Sequence, residues 1–587
     1  MHGQSHECLR PCAKEDSSKK LCRYEFFVSE LPTTISIRNE SKIEDESVIR
    51  KTRSFLGING RSPGPQIEIC LGDTIELLLY NRLGSQEFSL HWHGLQQRGT
   101  AHMDGVPMIT QCSILPFGGF RYNLKPETTG TYMYYAHLVS QQADGVYGSL
   151  TVRGPQDDPS LERMLLLSSR PPTLLSRHSH LHPPTPTELL LNGQSNGTIL
   201  KVDHGGQYLL RLINANAYNC PVRLSISGHE FRIVAADGNA VQSVIAKEIV
   251  SFPGERFDTI VKANQPPGKY LVDIRGLQEC RNLRQKAFIL YNDAQPDNEF
   301  TVVKDEELKI DDDAIANKGF NCHEISKNFI CALDLKGLKG MPAEINANQV
   351  IYIPFDVNAF PSFTDEMTDN RYHFYGCAFY PSYLSTNKEG SRVAQINGMS
   401  FKYPSSPLLS QPENIQEESI CSLERRSDEC VDSPLFCECI QVIEVPPMST
   451  IDIVLIDEGF GGNVSHTFHL HGYSASIIGK NNFKEAITRE EIKYLDQNGQ
   501  LHRNLIDPPQ KDSFVVPNKG YVILRLFTDN FGYWLWEARS TAISPGMFGP
   551  AMQFLLKVGS DESFVPVPLD FPTCGNNKRP DMVFEMN

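Results

Sequence analysis

Two segments of this chain carry histidines at alternating positions, a spacing that can bring metal ligands together. The first segment contains His91 and His93, and the second contains His469 and His471. Residues i and i+2 of a β-strand point to the same face, so each pair is expected to project together. Because imidazole is a good ligand for copper and zinc, two such strands facing each other would form a metal site. The alternative is that these histidines alternate by chance on a surface or in a core.

The strands that would position these histidines belong to a pattern that occurs three times. Each copy has an alternating strand, then a second strand, then a glycine followed by aromatic residues. The first strands are 72–79, 206–212 and 449–455, the second are 88–94, 222–228 and 468–472, and the third begin at Gly130, Gly268 and Gly532. Short strands rich in β-branched and aromatic residues predict all-β sandwiches or barrels. The middle copy lacks a histidine pair, so metal chemistry is expected only in the first and third copies.

The length of 587 residues is too great for one hydrophobic core and agrees with three domains. Polar segments without periodicity, around 311–313 and 404–429, are interpreted as connections or surface loops. The predicted divisions are a cysteine-rich segment 1–23, domains 24–155, 156–310 and 340–574, a linker 311–339 and a tail 575–587.

Net charge and the lengths of the apolar runs argue against two kinds of partner and against a transmembrane segment. The net charge of −15 argues against nucleic acid and anionic membranes as partners. No apolar run approaches the roughly 18 residues of a transmembrane helix.

Cysteines and glycosylation sequons favour an extracellular protein. The 15 cysteines are scattered and form no CxxC pair, which favours disulfides over a metal finger. Sequons occur at Asn39, Asn196 and Asn463. Residues 1–20 are polar and charged, so a secretory signal is not expected within this chain.

Longer motifs give the chain a resemblance to multicopper oxidases, and specifically to insect laccases. The motifs that carry it are Cys8–Cys12, His91–Gly94, Met103–Pro107, Thr110–Cys112, Asp144–Gly148, Ser465–Tyr473, Val516–Tyr521 and Phe571–Gly575. The resemblance implies three tandem cupredoxin-like Greek-key sandwich domains and a disulfide between Cys112 and Cys574. It also implies four coppers: a type 1 copper that takes electrons from the substrate, and a trinuclear cluster that reduces dioxygen to water.

Carried over position by position, the family's ligand pattern is only partly present. The retained residues are His91 and His469 for the type 2 copper, His93, His137 and His471 for the type 3 pair, and His466 for the type 1 copper. The positions that have lost a ligand are Tyr135, Glu537 and Arg539 in the type 3 pair, and Ala538 and Ile543 at the type 1 site. The axial type 1 position falls within 545–548 and stays open.

These losses predict the end of oxidase chemistry. A type 1 copper needs a thiolate, and Ala538 has no donor atom. Arg539 keeps its charge at any relevant pH and disfavours a nearby dication. Glu537 is expected to neutralise Arg539 poorly, on the argument that adjacent strand residues point to opposite faces. We therefore expect the remaining histidines to hold no ion, or one copper or zinc.

Three functions follow from this pattern. The first is a catalytically inactive, secreted homologue that binds an unknown protein or small-molecule partner, as in a branch of the insect family that lacks several ligands. The second is a protein that retains one copper or zinc ion. The third is an active oxidase of phenols or metal ions, which the absence of a thiolate at position 538 disfavours. The histidines also have a purely structural alternative, as hydrogen-bonded core residues between the first and third domains.

Overall fold

The structure, a computed structural model, describes residues 6–12, 19–38, 48–178, 183–294, 329–331, 335–338, 346–360, 391–425, 438–459, 464–544, 547–548 and 550–575. Of the three sequons, Asn196 is exposed, whereas Asn39 and Asn463 lie outside the described residues. The axial-ligand candidates of the type 1 site are described only at Met547 and Phe548.

The first domain is a sandwich of two four-stranded sheets. In spatial order, one sheet contains Val48–Ile58, Leu21–Arg38, Thr74–Asn81 and Gly119–Leu124, and the other contains Ile67–Cys70, Tyr147–Arg153, Gly130–Ala136 and Leu90–His93. Alternating apolar side chains such as Leu77, Leu90 and Tyr134 fill the space between the sheets. The histidine strand Leu90–His93 lies at the edge of its sheet.

The second domain pairs two six-stranded sheets. One contains Glu188–Leu191, Glu162–Arg170, Gln207–Asn214, Arg256–Lys262, Phe231–Ala236 and Asn239–Ala246. The other contains Ile199–Val202, Arg284–Tyr291, Lys269–Gly276, Val222–Ile226, Glu248–Ser251 and Phe329–Cys331. The last of these strands falls within the predicted linker and pairs in parallel with Glu248–Ser251.

The third domain has two larger sheets. One contains Gln510–Lys511, Ala475–Asn482, Gly520–Phe527, Thr450–Asp457, Gln349–Phe360, Ser391–Ile396 and Met547–Phe548. The other contains Ser400–Phe401, Glu438–Val445, Met552–Val558, Gly532–Ala538, His466–Leu470 and Ser513–Val516, with Ile420–Cys421 beside Glu438–Val445. All three copies of the predicted strand pattern are therefore present.

Helices are few and short in the described ranges. The α-helices are Val139–Ala143 and Arg489–Gln497, and the 3-10 turns are Ala101–Met103, Pro159–Leu161, Leu175–Arg177, Gln278–Cys280, Pro412–Asn414, Glu417–Ser419, Arg539–Ile543 and Asp561–Ser563. Thr488 caps the longer helix, since its hydroxyl accepts from the Glu491 amide while the Glu491 carboxylate accepts from the Thr488 amide. Among the described helices, none has both the length and the apolar character that a bilayer crossing requires.

Disulfides join distant parts of the chain. The structure contains the bond between Cys112 and Cys574 that the resemblance implied, which ties the first domain to the end of the third. The other described bonds are Cys8–Cys22, Cys12–Cys70, Cys220–Cys280 and Cys421–Cys439.

A buried ion network connects all three domains. Arg256 of the second domain forms a bidentate pair with Asp512 of the third, with distances of 2.5 and 2.6 Å, and its Nε donates to the Thr131 carbonyl of the first. The Lys511 ammonium lies 2.8 Å from Asp237 Oδ2. All four charged side chains are at most 1% exposed, so each charge depends on its partner.

Candidate metal centre

Strand pairing in the first domain places its histidines at the interface with the third domain. Leu90–His93 runs antiparallel to Gly130–Ala136, with His91 opposite Tyr135 and His93 opposite Met133. His137 follows directly after the second strand. All three histidines are buried, with 1%, 1% and 6% of their surfaces exposed.

The third domain supplies the facing strand. His469 lies opposite Glu537 on the strand Gly532–Ala538 and opposite Ser513 on its other side. His471 comes just after the strand, and its amide donates to the Leu535 carbonyl. This register points His469 and His471 toward the first domain.

The five histidines that the sequence predicts to lie together do converge. The rings of His93 and His469 are stacked with centroids 3.6 Å apart, and those of His91 and His471 are 4.0 Å apart. The centroid of His137 lies 6.1 Å from that of His471. Two sandwiches thus present one imidazole cluster across their interface.

Two carboxylate residues that sequence reasoning missed organise this cluster. Asp104 Oδ2 is 2.8 Å from Nδ1 of His471, and the Asp104 carbonyl is 2.8 Å from Nδ1 of His91. The Asp512 carbonyl is 2.9 Å from Nδ1 of His469. Burial lowers the pKa of His471, but Asp104 and Glu537 outweigh this effect and raise it to about 9. The sequence signal for Asp104 is its place in the motif 103–107.

The expectation that Glu537 would neutralise Arg539 poorly is wrong. The Arg539 Nη1 lies 2.6 Å from Glu537 Oε1. Positions 537 and 539 are two residues apart, so strand alternation itself places their side chains on one face, and the argument from adjacent residues does not apply to this pair. The guanidinium also donates to the His137 carbonyl at 2.8 Å and to Gln142 Oε1 at 3.0 Å, which links the third domain to the first.

Tyr135 is a hydrogen-bonding residue in this cluster. Its hydroxyl is 2.9 Å from Nδ1 of His93, and the Arg539 guanidinium lies 4.3 Å from its ring centroid. Burial raises the pKa of Tyr135 far above its ordinary value, although Arg539 opposes this shift. The neutral phenol is a weak metal ligand.

Among the described residues, no set of metal-binding side chains comes together at the type 1 position. Ala538 is fully buried in the third domain's core, and Ile543 packs into the core of the second domain. His466 packs edge-on against Phe355, with ring centroids 5.8 Å apart. Burial lowers the pKa of His466 to about 4, as expected for a neutral ring in an apolar site.

Comparison with known proteins agrees with this architecture. Three protein-family models, each described as multicopper oxidase, match residues 41–157, 156–294 and 404–548. The chain belongs to the multicopper oxidase family. It is 26% identical over 579 residues to Laccase-14 of rice, covering 89% of this chain and 91% of that protein. It is 25% identical over 569 residues to Laccase-12 of Arabidopsis thaliana, covering 89% and 93%.

Solved multicopper oxidases share the fold. The structure of Fet3p, a multicopper oxidase that functions in iron import, aligns with a TM-score of 0.66 at 19% identity and covers 92% of this chain and 90% of that one. The laccase from Botrytis aclada also aligns with a TM-score of 0.66, at 21% identity, with 94% and 90% covered.

The residues present do not fit the four coppers of this family. A type 1 copper requires a cysteine thiolate, and the buried side chains at 538 and 543 are alanine and isoleucine. At the trinuclear cluster, the Arg539 guanidinium lies against Glu537 and Tyr135, where the family pattern has ligands. A permanent positive charge there opposes the binding of several cations.

Proposed function

We propose that this chain is a laccase-like multicopper oxidase homologue without oxidase activity, a pseudoenzyme that acts as a binding protein. It would belong to a ligand-depleted branch of the family, similar to the one known in insects. One observation carries the proposal: Ala538 and Ile543 are buried apolar residues that belong to the cores of the third and second domains. Without a thiolate there is no entry point for electrons from a substrate.

An extracellular location fits the covalent structure. The described residues contain five disulfides, and bonds of this kind persist in oxidising compartments. The exposed sequon at Asn196 is accessible to glycosylation.

We expect the purified protein to show no oxidase activity. Secreted from copper-supplemented cells, it should consume no oxygen with a diphenol and should lack the intense blue absorption of a copper–thiolate site. Oxygen electrode traces, visible spectra and metal analysis on one sample test this. A plant laccase treated identically is the positive control. Oxygen uptake by a sample that retains copper would overturn the proposal.

A cleft on the second domain offers a site for a small anionic ligand. It has a volume of about 550 Å³, and its lining includes three cations (Arg232, Lys247 and Lys262), one carboxylate (Glu230) and the apolar side chains of Ile245 and Ile260. Arg232 lies opposite Ile245 and Ile260 in the sheet register, so these side chains share one face. Within the described ranges, none of the three cations forms an ion pair. Such a volume is typical of ligand pockets.

This cleft is tested with phenyl phosphate, which combines an anion with an apolar ring. Reversing the charge at both lysines (Lys247→Glu with Lys262→Glu) should weaken binding of phenyl phosphate about tenfold or more, because the cleft would then repel the phosphate. The charge-matched control replaces Lys201 and Lys286, two exposed lysines on the other sheet, with glutamate. Calorimetric titration should show weakening in the first variant only, and equal affinities would remove the cleft as the site.

A further inference from the structure

We propose that Arg53, Arg170 and Glu188 form a binding site for inorganic phosphate at the junction between the first and second domains. The two arginines would bind charged phosphate oxygens, and Glu188 would accept a hydrogen bond from the phosphate hydroxyl. This site is separate from the histidine cluster and from the cleft that contains Lys247 and Lys262. It does not depend on the loss of oxidase activity.

The three side chains come from two domains. Arg170 and Glu188 lie directly opposite each other on neighbouring strands of the second domain, so their side chains share one face. Arg53 belongs to the strand Val48–Ile58 of the first domain. Its Nη1 lies 3.6 Å from Glu188 Oε2, and Nη1 of Arg170 lies 4.0 Å from the same oxygen. Guanidinium groups from two domains thus face one carboxylate oxygen.

The positive charge at this junction is only partly neutralised. Two guanidinium groups and one carboxylate leave one positive charge in excess among these three side chains. The Arg53 side chain is 9% exposed, so water does little to stabilise its charge. Burial lowers the pKa of Arg53, and although Glu188 opposes this shift, Arg170 adds to it. A bound anion would supply the missing negative charge.

The three charged groups are close to one another but are not joined by hydrogen bonds. Both separations exceed the usual length of an N–H···O hydrogen bond, which is about 2.9 Å. In the part of the chain that the structure describes, Nη2 of Arg53 is buried and has no hydrogen-bond partner. Buried polar atoms without partners are uncommon and costly. Phosphate oxygens held between the two arginines would accept from these donors.

The site is open to solvent on the side of the second domain. There Glu188 is 36% exposed and Arg170 is 25% exposed. The ring of Phe55, two positions after Arg53, has its centroid 5.8 Å from the guanidinium carbon of Arg170, so an apolar surface borders the charges. An ion can therefore approach from solvent and reach a guanidinium that is largely shielded from water.

The carboxylate makes the site selective for an oxyanion that carries a hydroxyl group. Guanidinium groups match the oxygens of phosphate, sulfate and carboxylate ions alike. The ionised Glu188 side chain can only accept hydrogen bonds, so it repels an oxyanion without a hydroxyl group. Inorganic phosphate keeps a hydroxyl group at neutral pH, whereas sulfate has none and a phosphomonoester loses its last proton near about pH 6. The donor and acceptor set therefore favours inorganic phosphate.

The site is tested by calorimetric titration of the full chain with sodium phosphate and sodium sulfate at about pH 8, where a phosphomonoester has lost its last proton. We expect one bound phosphate ion and sulfate affinity weaker by about tenfold or more, because sulfate leaves Glu188 unsatisfied. Phenyl phosphate, titrated into the Lys247→Glu, Lys262→Glu variant so that the cleft does not contribute, should be weaker by a similar factor. Inorganic phosphate should bind this variant as tightly as it binds the original chain.

Two arginine variants test the binding itself. Arg53→Met should abolish phosphate binding, and Arg170→Met should weaken it about tenfold or more, because each change removes a charged donor. Arg170 is partly exposed, so its variant is expected to fold even if Arg53→Met does not. The matched control is Arg284→Met, which removes a 39% exposed arginine from the other sheet of the second domain and should leave phosphate affinity unchanged. Circular dichroism confirms that each variant is folded.

Glu188→Gln separates selectivity from binding. The amide carries no negative charge and can donate to sulfate, so sulfate and phosphate should bind this variant with affinities within about threefold of each other. A merely structural role for Glu188 would leave the ratio of the two affinities as it is in the original chain.

Three results would overturn the site: no phosphate bound by the original chain, unchanged phosphate affinity in Arg170→Met, or loss of phosphate binding in the Lys247→Glu, Lys262→Glu variant. Sulfate bound as tightly as phosphate by the original chain would overturn the role of Glu188. These results do not bear on oxygen uptake, which tests the proposed loss of activity separately.

Discussion

Replacing Arg256 with methionine should destabilise the assembled protein by about 3–5 kcal/mol, the usual cost of leaving a buried charge without its partner. The guanidinium is fully buried and makes both contacts to Asp512, at 2.5 and 2.6 Å. Asp512 would then lose its guanidinium partner and keep the Ser513 hydroxyl at 3.0 Å and the His93 ring at 3.2 Å as polar neighbours. The readout is the thermal unfolding midpoint by calorimetry, together with the denaturant midpoint.

Two further variants separate the effect of losing the Arg256–Asp512 ion pair from general damage to the core. Arg284→Met removes an arginine that is 39% exposed and paired with Asp273, so its effect should stay below about 1 kcal/mol. Removing both charges, Arg256→Met with Asp512→Leu, should recover much of the lost stability, because an apolar pair often substitutes for a buried ion pair. A double variant as unstable as Arg256→Met would show that the charge pair is not the cause.

Removing the disulfide between Cys112 and Cys574 is expected to have the second large effect. The bond closes a loop with a sequence separation of 462 residues, and longer loops gain more from closure in the chain-entropy model. Replacing both cysteines with serine should cost up to about 5 kcal/mol. Gln411 holds Cys574 through two hydrogen bonds of 2.9 Å, so part of the end of the domain should stay in place without the bond.

The Cys8–Cys22 bond is a control within the same domain as Cys112. Its sequence separation is 14, so replacing both of these cysteines should cost about 3 kcal/mol. Thermal midpoints of the two double variants under non-reducing conditions give the comparison. A smaller shift for Cys112 and Cys574 than for Cys8 and Cys22 would contradict the loop-closure argument.

Much of the fold could be predicted because strand alternation is a local signal. The predicted strand 72–79 is observed as Thr74–Asn81, and 206–212 as Gln207–Asn214. The same alternation explains why the two histidine pairs, at 91 and 93 and at 469 and 471, could be placed in one cluster from the sequence. The disulfide between Cys112 and Cys574 came from the family resemblance, because spacing alone does not determine cysteine pairing.

What the sequence could not provide were partners that depend on packing between domains. Asp104 and His471 are in contact although they are 367 residues apart in the sequence, and Arg256 and Asp512 are 256 residues apart. No local sequence pattern connects either pair. The wrong prediction concerned Glu537 and Arg539, because the opposite-face rule holds for adjacent strand residues and these two are two positions apart. Residues two apart share a strand face, so alternation is compatible with the observed contact between these two charges.

The guanidinium of Arg539 has a consequence for how the protein is made. In a copper enzyme, positive charge at such an interface arrives as metal ions, so completion of the site depends on the cell's supply of copper. Here the charge opposite Glu537 is encoded in the chain, and the same side chain bonds to the His137 carbonyl of the first domain. The junction between these domains can therefore close as soon as the chain folds. The folded protein should therefore be produced as efficiently in copper-starved cells as in copper-replete cells.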